Sequence, residues 1–356
     1  MRKYQCFFGF NNPSSQKHGV FSMRQILLLF CNPRMLILGM MLSFVLRPEF
    51  AGGQPLTSIQ AAYDGTSGYN LPIWILQSTD IGTRHGLEVR THLVPGVQSA
   101  QAVIGGSFQF SQSGIMNIIN AAAQGGELVA LGTSEFGLSY KLVGRKGMTV
   151  KGLRGSTIGV AAYGGTTLLS VKMALEKLGI PERDVKIIVA GNTSQRVLSL
   201  MVQGGIDATV LSPPSLFVAE NAGLPVFVDV RGFSDYPNSS LITTRRRARD
   251  NPEGARRVAR AWTEAIAFFA LRQKETQAIL RKYLKLEDAE VLRATYDFYR
   301  ERLPRSPRIS EAGFAALVDA MTSYNPKVKN ISFDQVTDMR FVDEMEKEGF
   351  IASLYR

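Results

Sequence analysis

The sequence predicts an α/β protein built from two similar lobes. From Ser58 onward, short apolar segments typical of strands alternate with segments of helical periodicity, and turns that contain Gly or Pro separate them. One segment of the first half recurs in altered form in the second half, and long amphipathic helices follow Asn251. These observations indicate βαβ units around mainly parallel sheets, with a helical C-terminal part.

The individual elements follow from apolar runs between turn residues for strands and from helical periodicity for helices. The predicted strands are Ile59–Tyr63, Leu87–Leu93, Phe108–Gln112, Leu128–Thr133, Tyr140–Gly144, Thr157–Ala161, Val185–Val189, Ala208–Leu211, Val226–Asp229 and Leu241–Thr244. Helices are predicted to begin near Leu71, Gln98, Ile115, Thr166, Ser194 and Ser215. Longer amphipathic helices are predicted from Pro252 to Tyr283, from Asp288 to Arg300 and from Ser310 to Tyr324.

The internal similarity relates residues 102–113 to residues 200–212. In both segments a helix ends at a pair of glycines, a short strand follows, and a serine, Ser113 or Ser212, stands in the next loop. Glycine ends helices because it readily takes a left-handed conformation. Each lobe is therefore predicted to offer a hydroxyl at the carboxyl end of a strand, where open α/β sheets bind their ligands.

The composition is that of a globular protein: 45% of the 356 residues are hydrophobic and 20% are charged. The formal net charge is +11, and residues 1–51 contribute six basic residues and one acid to it. The densest basic run, Arg245–Arg249, has no interleaved aromatic residues of the kind that stack on bases. A solvated surface is the preferred interpretation of this run, and no nucleic-acid partner is expected.

The N-terminal segment 1–51 is interpreted as a signal peptide. Its apolar stretch, Met35–Leu46, is too short to span a bilayer comfortably, and Arg24 and Arg34 precede it. The protein is therefore expected to be exported to the periplasm, with Met23 or Met35 as alternative starts. In a second interpretation the segment stays attached as a membrane anchor.

Both cysteines, Cys6 and Cys31, lie inside this leader. A mature chain without cysteine has no disulfide, no thiol nucleophile and no zinc–thiolate site.

Loops rich in hydroxyl groups and glycine follow several of the predicted strands and are the candidate ligand contacts. In the first lobe these loops are 64–70, 111–114 and 133–136, and in the second lobe they are 162–167, the turn at Asn192 and the turn at Ser212. Residues 164–167, Gly-Gly-Thr-Thr at a helix start, suit an anionic oxygen cluster because free N–H groups lie at the positive end of the helix dipole. A simple turn or helix cap is the alternative interpretation of each loop, and ligand contact is preferred for 64–70 and 162–167.

The sequence lacks the usual signatures of catalysis and of cofactor binding. Only three histidines occur, and neither His85 nor His92 has a second ligand at metal-binding spacing. No G-x-S-x-G and no G-x-G-x-x-G after a strand is present. We therefore expect no metal, no cofactor and no enzymatic activity.

Several segments, in order and spacing, resemble the nitrate/sulfonate/taurine-type substrate-binding proteins of ABC importers, which include sulfonate-, taurine- and thiamine-precursor-binding members. The segments are Leu71–Val89 with Trp74 and the run from Gly82 to Val89, Gly105–Ser111, Lys151–Val160, Leu175–Ile180, Ile206–Pro214 and Lys282–Leu286. The similarity extends over about residues 57–325.

The resemblance implies a type II periplasmic-binding-protein fold, with two α/β lobes joined by two hinge crossovers. Lobe 1 would be residues 55–145 plus 240–356 and lobe 2 residues 146–239, with hinges near Arg145–Lys151 and Ser234–Leu241. Carried over to this sequence, the ligand would lie between Ser67, Gly68, Ser113 and Ser134 of lobe 1 and Gly165, Thr166, Thr167, Asn192 and Ser212 of lobe 2.

The function implied is that of an extracytoplasmic solute-binding protein that works with the permease and ATPase subunits of an importer. The membrane would be reached only through the permease or an uncleaved leader. The solute would be a sulfonate, nitrate or carboxylate, or a pyrimidine-like molecule. The alternative is an enzyme on the same scaffold, similar to a pyrimidine-precursor synthase or a menaquinone-pathway dehydratase.

Overall fold

The computed structural model describes residues 55–202, 205–231 and 235–356. The predicted leader, 1–51, lies outside these residues.

The described residues form ten strands: β1 (Thr57–Tyr63), β2 (Leu87–Leu93), β3 (Phe110–Gly114), β4 (Leu128–Thr133), β5 (Lys141–Gly144), β6 (Thr157–Val160), β7 (Lys186–Val189), β8 (Ala208–Leu211), β9 (Val226–Asp229) and β10 (Ser239–Thr244). All ten predicted strands are present. The largest shift is in β3, which runs two residues further than predicted. Ser113 and Gly114 are therefore strand residues and not loop residues.

The helices are α1 (Leu71–Ser78), α2 (Ile81–Arg84), α3 (Gln98–Ile104), α4 (Ile115–Ala122), α5 (Thr166–Lys177), α6 (Thr193–Met201), α7 (Ser215–Asn221), α8 (Arg245–Asp250), α9 (Pro252–Leu271), α10 (Gln273–Leu284), α11 (Ala289–Arg300), α12 (Glu311–Thr322), α13 (Phe333–Val336), α14 (Arg340–Lys347) and α15 (Phe350–Ser353). Short 3-10 turns lie at Gly68–Asn70, Val150–Leu153, Glu182–Asp184 and Pro326–Val328.

The strands belong to two five-stranded sheets. The first sheet has the order β2-β1-β3-β10-β4, and the second has the order β7-β6-β8-β5-β9. In the first sheet, β1 is parallel to β2 and β3, whereas β10 is antiparallel to β3 and β4. In the second, β6 is parallel to β7 and β8, whereas β5 is antiparallel to β8 and β9. We call each sheet with its helices a lobe, so the first lobe contains β1–β4 and β10.

The chain crosses between the lobes twice, through residues 134–140 and again between β9 and β10. The two crossovers are bonded to each other: Gly137 N donates to Tyr236 O (2.7 Å) and Asn238 N donates to Glu135 O (3.0 Å). Because β5 is already part of the second sheet, the second lobe begins before residue 146, and the first crossover precedes the predicted hinge at Arg145–Lys151. An apolar run such as β5 does not indicate by itself which sheet it joins.

The predicted helix from Pro252 to Tyr283 is two helices, separated at Arg272, whose backbone leaves the helical region (φ −115°, ψ 68°). Helix α9 begins with proline in its first turn, and the Asn251 side chain accepts the Gly254 N–H at its start. Its buried face includes Trp262, which is 1% exposed, and packs on α1 in the core of the first lobe. No Gly or Pro marks the break, so it could not be predicted from the local sequence.

Candidate functional site

A cavity of about 450 Å³ lies between the two lobes. We call it the interlobe cavity. This volume is in the range of small-molecule sites. Loops at the carboxyl ends of strands in both lobes line it, as expected for open α/β sheets. The lining residues are Asp64, Gly65, Thr66, Tyr69, Leu93, Pro95, Gly96, Val97, Gln98, Asn117, Tyr140, Ala161, Ala162, Gly165, Thr166, Thr167, Gly191, Asn192, Thr193, Ser194, Gln195 and Arg196.

Four of the nine predicted ligand residues line this cavity, and all four belong to the second lobe: Gly165, Thr166, Thr167 and Asn192. Gly165 precedes α5, and no side chain caps the first N–H groups of that helix. The Thr167 hydroxyl accepts a hydrogen bond from Ala161 N (2.9 Å) and so holds the loop after β6. The start of α5 therefore faces the cavity with its backbone donors uncapped by side chains.

Asn192 has a structural role besides its place in the lining. Its side chain accepts the Gln195 N–H (3.0 Å), and the Gln195 side chain accepts the Asn192 N–H (2.8 Å). This reciprocal pair is a capping box at the start of α6. The helix cap thus accounts for the orientation of Asn192, and ligand contact by this residue stays a prediction.

Five predicted residues lie outside the lining: Ser67, Gly68, Ser113, Ser134 and Ser212. The hydroxyl oxygens of Ser67 and Ser212 are 2.8 Å apart and connect the two lobes. Ser134 accepts a hydrogen bond from Gln112 Nε2 (3.2 Å). A Cβ atom on Gly68 would lie 2.4 Å from Tyr299 Cδ2, so this glycine makes room for a buried ring.

Ser113 lies behind the cavity wall and hydrogen-bonds to two lining residues, Asp64 and Asn117. Its hydroxyl donates to Asp64 Oδ2 (2.8 Å) and accepts from Asn117 Nδ2 (2.8 Å). Asp64 Oδ2 also accepts the Gly114 N–H (3.0 Å). The other carboxylate oxygen, Asp64 Oδ1, is buried and has no hydrogen-bond partner among the described residues. Burial raises the pKa of Asp64, and the bonds from Gly114 and Ser113 oppose that effect.

Arg196 is a charged residue of the cavity lining that the sequence did not point to. Its side chain is buried, with 1% of the residue exposed, and it reaches the lining from α6. The guanidinium donates to three neutral oxygens: Gly191 O (2.7 Å), Thr209 Oγ1 (3.0 Å) and Val210 O (3.5 Å). Burial lowers its pKa, and the neighbouring Tyr140 and Tyr69 oppose that effect. An arginine on an amphipathic helix ordinarily faces solvent, so only the packing of α6 identifies this one.

The lobes contact each other directly around the cavity. Asn120 Nδ2 of the first lobe donates to Gly164 O of the second (2.6 Å), and the Tyr299 hydroxyl donates to Pro213 O (3.1 Å). A Cβ atom on Gly114 would lie 3.0 Å from Thr166 Oγ1, across the same boundary. The structure is therefore a closed arrangement of the two lobes.

A buried carboxyl lies between the crossovers. Glu135 is 2% exposed, and it accepts hydrogen bonds from Asn238 Nδ2 (2.6 Å) and from the Ser139 hydroxyl. Burial raises the pKa of Glu135 to about 7, although these two bonds and the charge of Arg302 act in the opposite direction. Glu135 thus joins residues of both crossovers and does not line the cavity.

Neither cysteine nor histidine occurs in the lining. Over residues 55–202, 205–231 and 235–356, we find no cluster of three or more His, Cys, Asp or Glu side chains that suits a metal ion. None of the helices in this part of the chain has the length and apolar character needed to cross a membrane.

Comparison with known proteins finds solved structures of the same architecture. No curated protein sequence matches the chain significantly. A protein from Bordetella bronchiseptica RB50 has 22% identity and a TM-score of 0.72, over 82% of this chain and 98% of that one. The ligand-binding component of an ABC-type import system from Staphylococcus aureus, solved with zinc bound, has 14% identity and a TM-score of 0.65, over 81% and 98%. The periplasmic aliphatic sulphonate binding protein SsuA from Escherichia coli has 19% identity and a TM-score of 0.59, over 80% and 91%.

These similarities confirm the predicted periplasmic-binding-protein fold. A family model described as the NMT1-like family matches residues 101–285, about half of the chain. The match includes all the strands of the second lobe and the crossovers that join it to the first. The chain therefore belongs to the NMT1-like family, as the resemblance in its sequence to importer substrate-binding proteins led us to expect.

Proposed function

We propose that this protein is the extracytoplasmic solute-binding component of an ABC importer, and that Arg196 holds an anionic group of its solute. One observation carries the proposal. The guanidinium of Arg196 is buried in the lining of the interlobe cavity, and no carboxylate among the described residues forms an ion pair with it.

A buried cation without a counter-ion is unfavourable, because neutral hydrogen-bond acceptors replace only part of its lost hydration. The three protein oxygens that surround Arg196 fix its orientation and leave its charge uncompensated. A guanidinium has five N–H donors, so two remain for a bound oxyanion. An anionic solute in the cavity would supply the missing charge.

The start of α5 adds to this attraction. Its first N–H groups have no side-chain cap, and Gly165, Thr166 and Thr167 line the same cavity as Arg196. Backbone donors at the positive end of a helix favour anions. Sulfonate, nitrate and carboxylate are therefore the solute groups we expect.

Solute capture would use the two-lobed architecture. Two crossovers bonded to each other provide a hinge, and contacts such as Asn120 to Gly164 hold the closed arrangement. The importer role is proposed from the fold neighbours, which include a ligand-binding component of an ABC-type import system and a periplasmic sulphonate-binding protein. The partners would be permease and ATPase subunits, and the N-terminal leader would export the protein to the periplasm.

The test is a thermal-shift and calorimetric screen of the purified protein against sulfonates, carboxylates and nitrate. A ligand that binds only the native state raises Tm through mass action. We expect at least one anion to bind, and Arg196→Gln to weaken it at least tenfold. Arg154→Gln is the matched control, because Arg154 is a half-exposed arginine of the same lobe, paired with Asp184 and outside the lining.

Arg196→Lys serves as a second variant, since it keeps the charge if the Gln variant folds poorly. The proposal fails if both substitutions leave every anion bound as before in folded protein. A 4-aminopyrimidine belongs in the same screen: its binding, unaffected by Arg196→Gln, would favour the pyrimidine-like solute. Conversion of a bound compound, followed by chromatography of the mixture, would favour the enzyme alternative.

A further inference from the structure

A buried carboxyl outside the lining lies next to the wall of the interlobe cavity. Glu135 belongs to the first crossover, and its oxygens accept hydrogen bonds from Asn238 Nδ2 of the second crossover (2.6 Å) and from the Ser139 hydroxyl. Ser139 directly precedes Tyr140, which lines the cavity. The carboxyl is therefore joined to both crossovers and to the segment that forms part of the cavity wall.

We propose that Glu135 is a proton-binding site coupled to the interlobe cavity, so that the protein takes up a proton when it captures an anionic solute. The inference rests on the proposed function and adds regulation to the same site. Solute binding becomes stronger as the surroundings become more acidic. Glu135 does not touch the solute in this scheme, and the two act on each other through their charges.

The hydrogen bonds of Glu135 fit both protonation states of its carboxyl group. In the carboxylate, Oε1 accepts the Ser139 proton and Oε2 accepts the Asn238 amide. In the carboxylic acid, Oε1–H can donate to the Ser139 oxygen, because a hydroxyl group both donates and accepts, while Oε2 keeps its bond from the amide. A proton can therefore bind or leave without either carboxyl oxygen losing its partner.

Burial brings the titration of Glu135 into the neutral range. No lysine or arginine among the described residues forms a salt bridge with it, and its two hydrogen-bond partners are neutral. Burial therefore raises the pKa of Glu135 to about 7, although the two hydrogen bonds and the charge of Arg302 oppose that effect. Both forms of the carboxyl are present in neutral solution.

Charges in the cavity act on Glu135. Besides burial, the charge of the lining residue Asp64 raises the pKa of Glu135. Besides their own burial, the charge of Glu135 raises the pKa values of two further lining residues, Tyr69 and Tyr140. An anion bound in the same cavity acts on Glu135 in the same sense as Asp64, because like charges repel strongly where water is scarce. Its binding therefore favours the protonated form.

The other ionisable neighbours of Glu135 leave this coupling in place. They are Tyr236 of the second crossover, Tyr299 of α11 and Arg302 just after that helix. Burial raises the pKa of both tyrosines, so they stay neutral, and an arginine keeps its positive charge in neutral solution. Asp64, whose pKa burial also raises, is the other carboxyl that can take the proton, and the experiment must distinguish the two.

The coupling has a definite sign. The pKa of Glu135 is higher with the anion bound than without it, so binding takes up a proton. The affinity is therefore highest below the pKa of the solute-free protein and falls as the pH rises toward the pKa of the complex. Uptake of one whole proton corresponds to about a tenfold loss of affinity per pH unit, which is the upper limit for this site.

The experiment measures by calorimetry the affinity of the full-length purified protein for ethanesulfonate, benzenesulfonate and nitrate between pH 6 and pH 8.5. These probes keep one negative charge over the whole range. The buffers are amines such as Bis-Tris and Tris, because sulfonate and phosphate buffers would compete for the cavity. We expect binding to be at least about fivefold weaker at pH 8.5 than at pH 6. Titrations at pH 7.5 in two amines of different ionisation enthalpy should show uptake of a fraction of a proton per anion.

Glu135→Gln tests the assignment of the proton to this carboxyl. The amide keeps an acceptor for Asn238 Nδ2 and resembles the neutral carboxyl, so the variant should show the low-pH affinity of wild type at every pH, without proton uptake. Glu176→Gln, at an exposed position of α5, is the matched control and should keep the wild-type profile. Asp64→Asn should also keep the dependence on pH, whatever its effect on the affinity itself.

The outcomes separate this inference from the proposed function. If an anion binds and Arg196→Gln weakens it, but the wild-type affinity does not depend on pH, the proton inference is wrong and the anion site stands. If the dependence on pH survives in Glu135→Gln, or disappears in Asp64→Asn, the proton binds elsewhere and the inference is also wrong. If none of the three probes binds, the inference fails together with the anion site.

Discussion

The hydroxyl oxygens of Ser67 and Ser212 lie 2.8 Å apart, one in each lobe. Both residues were predicted to bind the ligand, and both are buried. Their hydrogen bond joins the loop after β1 to the turn after β8. It is one of several direct contacts that hold the lobes in the closed arrangement.

Removal of this bond should favour separation of the lobes. We expect Ser212→Ala to raise the radius of gyration of the solute-free protein in small-angle X-ray scattering. A hydrogen bond of this kind contributes about 1 kcal/mol, or roughly a fivefold change in the ratio of closed to open protein. Ser111→Ala removes a buried hydroxyl inside the first lobe and should leave the scattering unchanged. Identical curves for wild type and Ser212→Ala would contradict the prediction.

The close approach of Gly114 to Thr166 gives a second test of the closed arrangement. A Cβ atom at residue 114 would lie 3.0 Å from Thr166 Oγ1, so Gly114→Ala should destabilise the protein by about 1 kcal/mol in urea denaturation. Thr166→Ala in the same protein should recover most of that loss, because it removes the crowded oxygen. The two substitutions should therefore couple by about 0.5–1 kcal/mol.

Gly152→Ala is the control for the loss of a glycine. The nearest atom to its new Cβ would be Met148 Cγ at 3.6 Å, an ordinary contact, so this substitution should be neutral or slightly stabilising. Additive effects of Gly114→Ala and Thr166→Ala would show that the two lobes are not in contact at this point.

Substitutions of Asn192 can distinguish its role as a helix cap from a role in ligand binding. Asn192→Ala should lower the free energy of unfolding by about 1 kcal/mol, because α6 loses its N-cap. Asn192→Ser should keep most of the stability, since serine also caps helices well. Calorimetry with the tightest anion from the screen then shows whether the Ser variant, with its cap intact, also loses affinity. Retained affinity would make Asn192 a capping residue only.

Glu135 should make stability depend on pH. Its pKa in the folded protein, about 7, is above the ordinary value of 4.5, so the folded state binds more protons between these two values. The free energy of unfolding contributed by this group therefore falls as pH rises from about 4.5 to about 7, by up to roughly 1.4 kcal/mol per pH unit. Above pH 7 both states are ionised, and the destabilisation is complete.

Glu135→Gln should remove this slope and be more stable than wild type at pH 8. The amide keeps an acceptor for Asn238 Nδ2 and offers a donor to the Ser139 hydroxyl, so the local hydrogen bonds survive. Urea denaturation at a series of pH values measures the difference between the two proteins. Glu176→Gln, a change at an exposed position of α5, should leave the wild-type profile unaltered. A slope equal in all three proteins would contradict the assignment to Glu135.

The sequence determined the elements of the fold because their signals are local. Apolar runs bounded by turns located β1, β2, β4 and β8 to within two residues, and the glycines before Thr166 marked the start of α5. The order of these elements was sufficient for the resemblance to importer binding proteins. Four ligand candidates in the second lobe also lie in the cavity, since carboxyl ends of strands meet at one edge of a sheet.

Which polar groups meet depends on how the two lobes pack, and local sequence does not show it. The partner of Ser67 is Ser212, 145 residues away, and hydroxyls of this type satisfy each other as readily as they satisfy a ligand. The sequence placed Asp64 in a candidate ligand loop but assigned no arginine to the site, because a single arginine on a helix usually faces water. The burial of Arg196 and of the Asp64 Oδ1 atom, and the absence of a salt bridge to either residue among the described residues, arise from the packing of two lobes around one cavity.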